Sequence, residues 1–164
     1  MLNRAIRVID TVFRAVLASL MAVMVLCVTW QIISRYLLGQ PSTWTEELSR
    51  FLLIWVGLLG GSYAYHMKMH LGLDLLTERL PARARRIQAR FVHVVVIIFA
   101  VTALIGGGLR LIWLNYDLNQ YSAALNLPIA IVYLSLPISG LMFVVYAVMA
   151  MVQDEHDTAT KGAG

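Results

Sequence analysis

The sequence predicts an all-α integral membrane protein: four transmembrane helices with amphipathic interfacial arm helices, and both the N and C termini in the cytoplasm. Three observations predict it. First, 60% of the 164 residues are hydrophobic and only 13% are charged, with a mean hydropathy of +0.75. A water-soluble domain runs near half apolar and about a quarter charged, so this chain has too little polar surface to cover a body facing water. Second, the apolar residues fall into long charge-free stretches, whereas a membrane barrel would need alternating segments of about 10 residues. Third, the basic residues sort to one side of those stretches. The net charge of +4 is too small and too scattered for a phosphate-tracking face, so no nucleic-acid partner is expected. The lone cysteine, Cys27, excludes an intrachain disulfide and a CxxC metal site.

Residues 1–14 read as an amphipathic arm, because Leu2, Ile6, Ile9 and Phe13 recur at helical spacing opposite Asn3, Arg7 and Asp10. Residues 15–35 form the first span, long enough as a helix for a hydrocarbon layer of about 30 Å. The stretch exceeds the apolar part of a secretory signal, about 7–15 residues, and Ser34, Arg35 and Tyr36 follow it in place of a cleavage motif. It is therefore read as retained. The second span, residues 43–67, has a short charge-free part from Phe51 to Met67, and its helix is expected to start near Thr43.

Residues 70–90 read as a cytoplasmic interfacial arm. Leu73, Leu75, Leu76 and Leu80 accompany a basic cluster, and Pro81 divides the stretch into two short helices. Basic side chains there would meet anionic headgroups at on the order of 1 kcal/mol each; a solvated charge run is the alternative. The third span covers residues 91–112, the fourth residues 127–152, and residues 153–164 read as a flexible tail. All of this is one membrane domain, 1–164.

Orientation follows from the basic residues. Arg4, Arg7, Arg14, Lys68, Arg79, Arg83, Arg85, Arg86, Arg90 and Lys161 lie on one side, against Arg35, Arg50 and Arg110 on the other. The positive-inside rule places the first group in the cytoplasm. Trp44, Trp113, Tyr116 and Tyr121 then fall at the opposite face, where an aromatic belt is expected.

The informative local pattern is Trp44-Thr45-Glu46-Glu47-Leu48-Ser49-Arg50 at the outer start of the second span. Thr43 and Glu46 have capping-box spacing, and both acids sit at the positive end of the helix dipole. Either carboxylate can pair with Arg50 on one face, and Arg35 could join them across a short loop. One reading is a capped, anchored helix end; the other is a charged cluster that, with Trp44, contacts a partner protein. Gly57 and Gly61 form GxxxG, extended by Gly60 and Ala64, with Gly106, Gly107 and Gly108 late in the third span. Small residues let helix backbones approach closely, either inside the four-helix unit or against another membrane protein.

No chemistry emerges from the spans. A carrier needs ionisable groups or broken helices near the midplane, and the central parts of all four spans lack Asp, Glu, Lys and Arg. Ser62, Thr102 and Ser135 are hydroxyls able to satisfy themselves on a backbone carbonyl, and Pro128 and Pro137 could kink the fourth span. Cys27 has no base nearby in sequence, and no phosphate loop, zinc signature or serine elbow is present. No catalytic residue, metal or cofactor is expected, and the chain is not read as an enzyme. Two rival classes are weighed. His66, His70 and His93 share a depth near the cytoplasmic ends of the second and third spans and could ligate haem in a b-type cytochrome anchor. The other rival is a stand-alone small four-helix transporter.

The order of motifs resembles the small membrane subunit of tripartite ATP-independent periplasmic (TRAP) transporters, the DctQ-type or Q subunit, over nearly the whole chain. The resemblance rests on Arg35-Tyr36, Trp44-x-Glu46-Glu47-x-x-Arg50, Trp55, Gly60-Gly61 and His70-x-x-x-Asp74. It continues with Leu80-Pro81 before the basic cluster, Ser122-Ala123-Ala124-Leu125-Asn126-Leu127-Pro128, Tyr133 and Pro137-Ile138. The family often has Gly where this chain has Asn126, and Gly soon after the later proline where it has Ser139-Gly140.

The resemblance implies a non-catalytic permease subunit of the bacterial inner membrane, part of a sodium-driven symporter for organic acids such as carboxylates. It implies two partners: a large M-type membrane subunit that carries the substrate, and a periplasmic P-type substrate-binding protein. The small subunit would scaffold the former and help dock the latter. Candidate partner contacts are Arg35, Trp44, Glu46, Glu47, Arg50, Trp55, Gly57, Gly60 and Gly61; the candidate arm residues are His70, Asp74, Arg83, Arg85, Arg86 and Arg90.

Overall fold

Long uninterrupted apolar stretches leave the backbone one economical way to satisfy its N–H and C=O groups in lipid, which is to wind into helices. The computed structural model describes residues 2–71 and 82–161. Helix α1 spans Leu2–Tyr36 and α2 spans Thr43–Leu71. Helix α3, Ala82–Phe99, passes into a π-helical segment, Ala100–Gly107, and then into α4, Gly108–Asp117. Both junction residues, Phe99 and Gly108, keep right-handed helical torsions, so the three pieces form one rod. A short α5, Ile129–Tyr133, precedes α6, Ser135–Lys161. Among the described residues the only β pairing is an isolated bridge between Tyr121 and Pro128.

Three helical stretches are long and apolar enough to cross a membrane: Asp10–Tyr36, Arg90–Asp117 and Ile129–Val152. Helix α2 is not among them, although it has 29 residues. Its charge-free part is short, and within it Gly57, Gly60, Gly61, Ser62, Tyr63, Tyr65 and His66 lower the hydropathy. Residues 2–14 of the expected arm and the first span form a single unbroken helix. Helix α6 continues to Lys161, through most of the stretch read as a tail. The middle of the expected cytoplasmic arm, 72–81, lies outside the described residues, as does 162–164.

The break between α5 and α6 has a local cause. Pro137 has no N–H to donate to the carbonyl of Tyr133, four residues earlier, and α5 ends at Tyr133. Leu134 makes the joint, its N–H reaching the Ile131 carbonyl at 3.3 Å.

Packing departs from chain order: α2 lies against α1 and α6, and α6 lies against α3 and the π-helical rod. Phe13 of α1 meets Tyr63 of α2 with ring centroids 6.1 Å apart, and Tyr146 of α6 at 6.4 Å, which closes one end of the bundle. Helix α6 is the central element: Val132, Ser135, Ser139, Tyr146, Ala147 and Ala150, from it and α5, are buried. Two glycines set its distance from the π-helical rod. A Cβ on Gly140 would stand 2.8 Å from Ile105 Cγ1 and 2.9 Å from Leu104 Cβ; one on Gly108 would stand 2.7 Å from Leu136 Cβ. Only hydrogen fits at these two crossings.

Four hydroxyls inside the apolar stretches, three of them buried, spend themselves locally. Ser62, Ser135 and Ser139 donate to the carbonyls of Leu59, Val132 and Leu136 at 2.7, 2.7 and 2.9 Å, and Thr102 to Ile98 at 2.7 Å. These groups are consumed within their own helices and none reaches across the bundle to form a polar site.

Candidate partner-interaction site

At the end of the bundle formed by the α1–α2 turn, the α2 start and the 118–128 loop, several of the sequence-predicted residues come together. Glu46 lies on the first turn of α2 and pairs with Arg50 one turn later. Spacing left both acids open to Arg50; the structure assigns Arg50 to Glu46 and turns Glu47 the other way. The Oε2 atom of Glu47 accepts the N–H of Ala124 at 2.8 Å and that of Leu125 at 3.1 Å.

The loop is shaped to present those N–H groups. Ser122 N–H donates to the Leu127 carbonyl at 2.8 Å, Asn126 N–H to the Ser122 carbonyl at 3.0 Å, and Ile129 N–H to the Gln120 carbonyl at 3.0 Å. The loop turns through Asn126, whose φ of +51° is left-handed, and Asn119, with φ of +47°, does the same at its start. Asn tolerates this region better than any residue but glycine, so Asn126 supports the turn that glycine would. The Ser122 hydroxyl is the largest influence on Glu47 and lowers its pKa from the ordinary 4.5. Desolvation opposes this, and the backbone N–H groups of Ala124, Leu125 and Ala123 add to the lowering.

Arg35 is exposed on the last turn of α1 and joins neither acid in an ion pair among the described residues. Glu46 is already held by a partner on its own helix, where pairing needs little ordering. Instead, Arg35 and Glu46 both line a cavity of about 350 Å³ with Gln31, Ile32, Tyr36, Pro41 and Ser42. The Ser42 hydroxyl oxygen is buried there with no hydrogen-bond partner. Trp44 is 48% exposed beside this region. Trp55 lines a second, apolar cavity with Leu20, Leu48, Phe51, Leu52, Leu127 and Pro128.

The glycines divide into two kinds. A Cβ on Gly57 or Gly60 would meet nothing within 4 Å, and one on Gly61 only Phe143 at 3.9 Å. The α2 face that carries Leu53, Gly57, Gly61 and Ala64 is exposed. The small residues that close the chain's own helix crossings are Gly108 and Gly140, of which sequence reasoning singled out only the first as a packing residue. At the opposite end, His93 Nδ1 lies 2.7 Å from the Tyr65 hydroxyl, and the His66 ring stacks on Tyr146 at 4.4 Å. Cys27 is buried and unpaired. Arg90 is exposed; Asp74 lies outside the described residues, as do the side chains of His70, Arg83, Arg85 and Arg86.

This arrangement offers surfaces and anchoring points. The family described as the DctQ component of tripartite ATP-independent periplasmic transporters matches residues 24–156. The chain belongs to that family. As a DctQ component it is a TRAP transporter small permease subunit, an inner-membrane protein and not an enzyme. It is 29% identical over 140 residues to the sialic acid TRAP transporter small permease protein SiaQ of Vibrio cholerae, covering 84% of this chain and 78% of that one. The isethionate TRAP transporter permease protein DctMQ of Oleidesulfovibrio alaskensis is 34% identical over 131 residues, 76% of this chain but 20% of that longer one. The ectoine TRAP transporter small permease protein TeaB of Halomonas elongata is 27% identical over 143 residues, 82% of this chain and 71% of that one. These relatives support neither the haem-anchor nor the stand-alone carrier reading.

Sequence reasoning missed the tie from Glu47 to the Ser122–Leu125 turn in this DctQ chain. The available signal was a turn of small residues whose N–H groups need acceptors, at the same end of the bundle as an acid that Arg50 does not require.

Proposed function

We propose that this DctQ component is the scaffold of a sodium-driven organic-acid uptake transporter, holding a large M-type membrane subunit and helping to dock a periplasmic P-type substrate-binding protein. The observation that carries the reading is the empty space over Gly57 and Gly60. A small-residue face on α2 admits close backbone approach, and the chain itself leaves that face unfilled. The DctMQ relative adds support, since this chain aligns with a fifth of that longer permease. The relatives' names cover sialic acid, isethionate, C4-dicarboxylates and ectoine. Such breadth among permease proteins that share this small-subunit region favours substrate selection outside it.

In this reading α2 is the fourth span. It is about 43 Å long by helical rise and lies between α1 and α6, two helices that contain candidate spans, so it runs through the same depth. Both termini and residues 70–90 face the cytoplasm, where the basic residues meet anionic headgroups, and the Glu47-tied loop faces the periplasm. Arg35, Trp44, Glu46, Arg50 and Trp55 then flank the docking region.

The test is co-purification with the co-expressed large subunit. Gly57→Leu and Gly60→Leu are expected to abolish co-purification and uptake while leaving the helical content of this chain intact. Undiminished assembly by both variants would refute the α2 docking face.

A further inference from the structure

We infer that the cavity at the α1–α2 turn binds the headgroup of a phosphoethanolamine phospholipid, with Arg35 holding the phosphate and Glu46 the ammonium. Depth is the first argument. Arg14 and Arg35 bracket an uncharged stretch of α1, and 21 residues of helix rise about 31 Å, close to the thickness of the hydrocarbon layer. Arg35 therefore stands in the headgroup layer.

Charge is the second. Arg35 and Glu46 line the same cavity of about 350 Å³, yet no ion pair joins them among the described residues. Two opposite charges facing one space without touching fit a zwitterion whose own charges are separated. The C-terminal dipole of α1 favours a cation at Arg35, but it leaves most of the five guanidinium donors available to a phosphate. Glu46 pairs with Arg50 through Oε1, which leaves Oε2 to accept from an ammonium group. Ser42 supplies a buried hydroxyl without a partner, and Gln31 and Tyr36 add donors at the rim.

The cavity's flank identifies the source of the phosphate. Ile32 lines the cavity and is 55% exposed, and Leu37 and Leu38, which follow the lining residue Tyr36 in the chain, are 78% and 62% exposed. Acyl chains cover such a flank, and inorganic phosphate leaves it bare. A primary ammonium donates hydrogen bonds to Glu46; the quaternary ammonium of phosphatidylcholine has none to donate.

The experiment is native mass spectrometry of the full chain, delipidated in detergent and supplied with phosphatidylethanolamine, phosphatidylcholine or phosphatidylglycerol of identical acyl chains. The wild type should retain phosphatidylethanolamine roughly fivefold over phosphatidylcholine. Arg35→Gln should lower retention of both, Arg35→Lys should restore part of it, and Glu46→Gln should bring phosphatidylethanolamine down to the level of phosphatidylcholine. Arg110→Gln, an exposed cation at the same end of the bundle, should change nothing. Equal retention of the three lipids by the wild type overturns the proposal without recourse to any variant. So does unchanged retention in Arg35→Gln. Displacement of the lipid by millimolar inorganic phosphate would reassign the cavity to a free anion.

Discussion

The Glu47 carboxylate accepts the peptide N–H of Ala124 at 2.8 Å across 77 residues of chain. One side chain on the first turns of α2 thereby fastens the loop between the π-helical rod and α5. A second N–H, from Leu125, shares the same oxygen, so the contact is a charge-assisted fork that holds loop position as well as distance.

Glu47→Ala should release the loop. Amide hydrogen exchange at Ala124 and Leu125 is expected to quicken by about tenfold or more, with no change in the middle of α6. Glu47→Gln should fall between, because a neutral amide oxygen still accepts but without charge.

The same tie predicts a pH dependence. The folded state lowers the pKa of Glu47 below 4.5, so the tie is fully present above that value and is lost as pH falls through the lower folded pKa. Exchange at Ala124 measured from pH 7 down to pH 3 should accelerate, beyond the intrinsic trend, only below 4.5. Glu47→Gln should abolish this component.

Glycine substitutions should separate packing within the chain from packing against a partner. Gly140→Ala forces a methyl within 2.9 Å of Leu104 Cβ and 3.2 Å of the Ala100 carbonyl, and should destabilise the chain by about 1–3 kcal/mol in detergent unfolding. Gly57→Ala meets open space and should stabilise it by roughly 0.5–1 kcal/mol through helix propensity.

Asn126 offers a backbone test. At φ of +51°, Asn126→Gly should be tolerated, whereas Asn126→Val should cost about 1–2 kcal/mol and loosen the Ser122–Leu127 pairing. Thermal unfolding of the two variants side by side distinguishes them.

Tyr65→Phe removes the hydroxyl that faces His93 Nδ1 at 2.7 Å, linking α2 to α3. A loss of about 0.5–1.5 kcal/mol is expected in detergent unfolding. His93→Phe combined with Tyr65→Phe should cost less than the two single losses summed, because the pair shares one hydrogen bond.

Local features were legible and remote ones were not. Arg50 four residues after Glu46 is a contact that helix geometry alone offers, and both partners are read within one turn. The self-satisfied hydroxyls of Ser62, Thr102 and Ser135 depend on the same short-range rule. By contrast, GxxxG spacing on α2 says that a helix can approach, without saying whether that helix belongs to this chain. Gly140 has no such spacing to advertise it, yet it is one of the two glycines that set the closest crossings.

By itself the sequence determined that the chain is helical and belongs in lipid, because burial of apolar surface and satisfaction of backbone hydrogen bonds depend on composition and short-range periodicity. It also determined which charges lie at which end of each apolar stretch. Only the tertiary structure decided that Glu47 crosses to Ala124 and so leaves Arg50 to Glu46, that Arg35 faces a cavity instead of either acid, and that Gly57 and Gly60 remain uncovered. These outcomes depend on how antiparallel helices settle against one another. Small shifts in axial register bring different residues into contact across a helix pair, and that register is set by close packing at a few points such as Gly108 and Gly140.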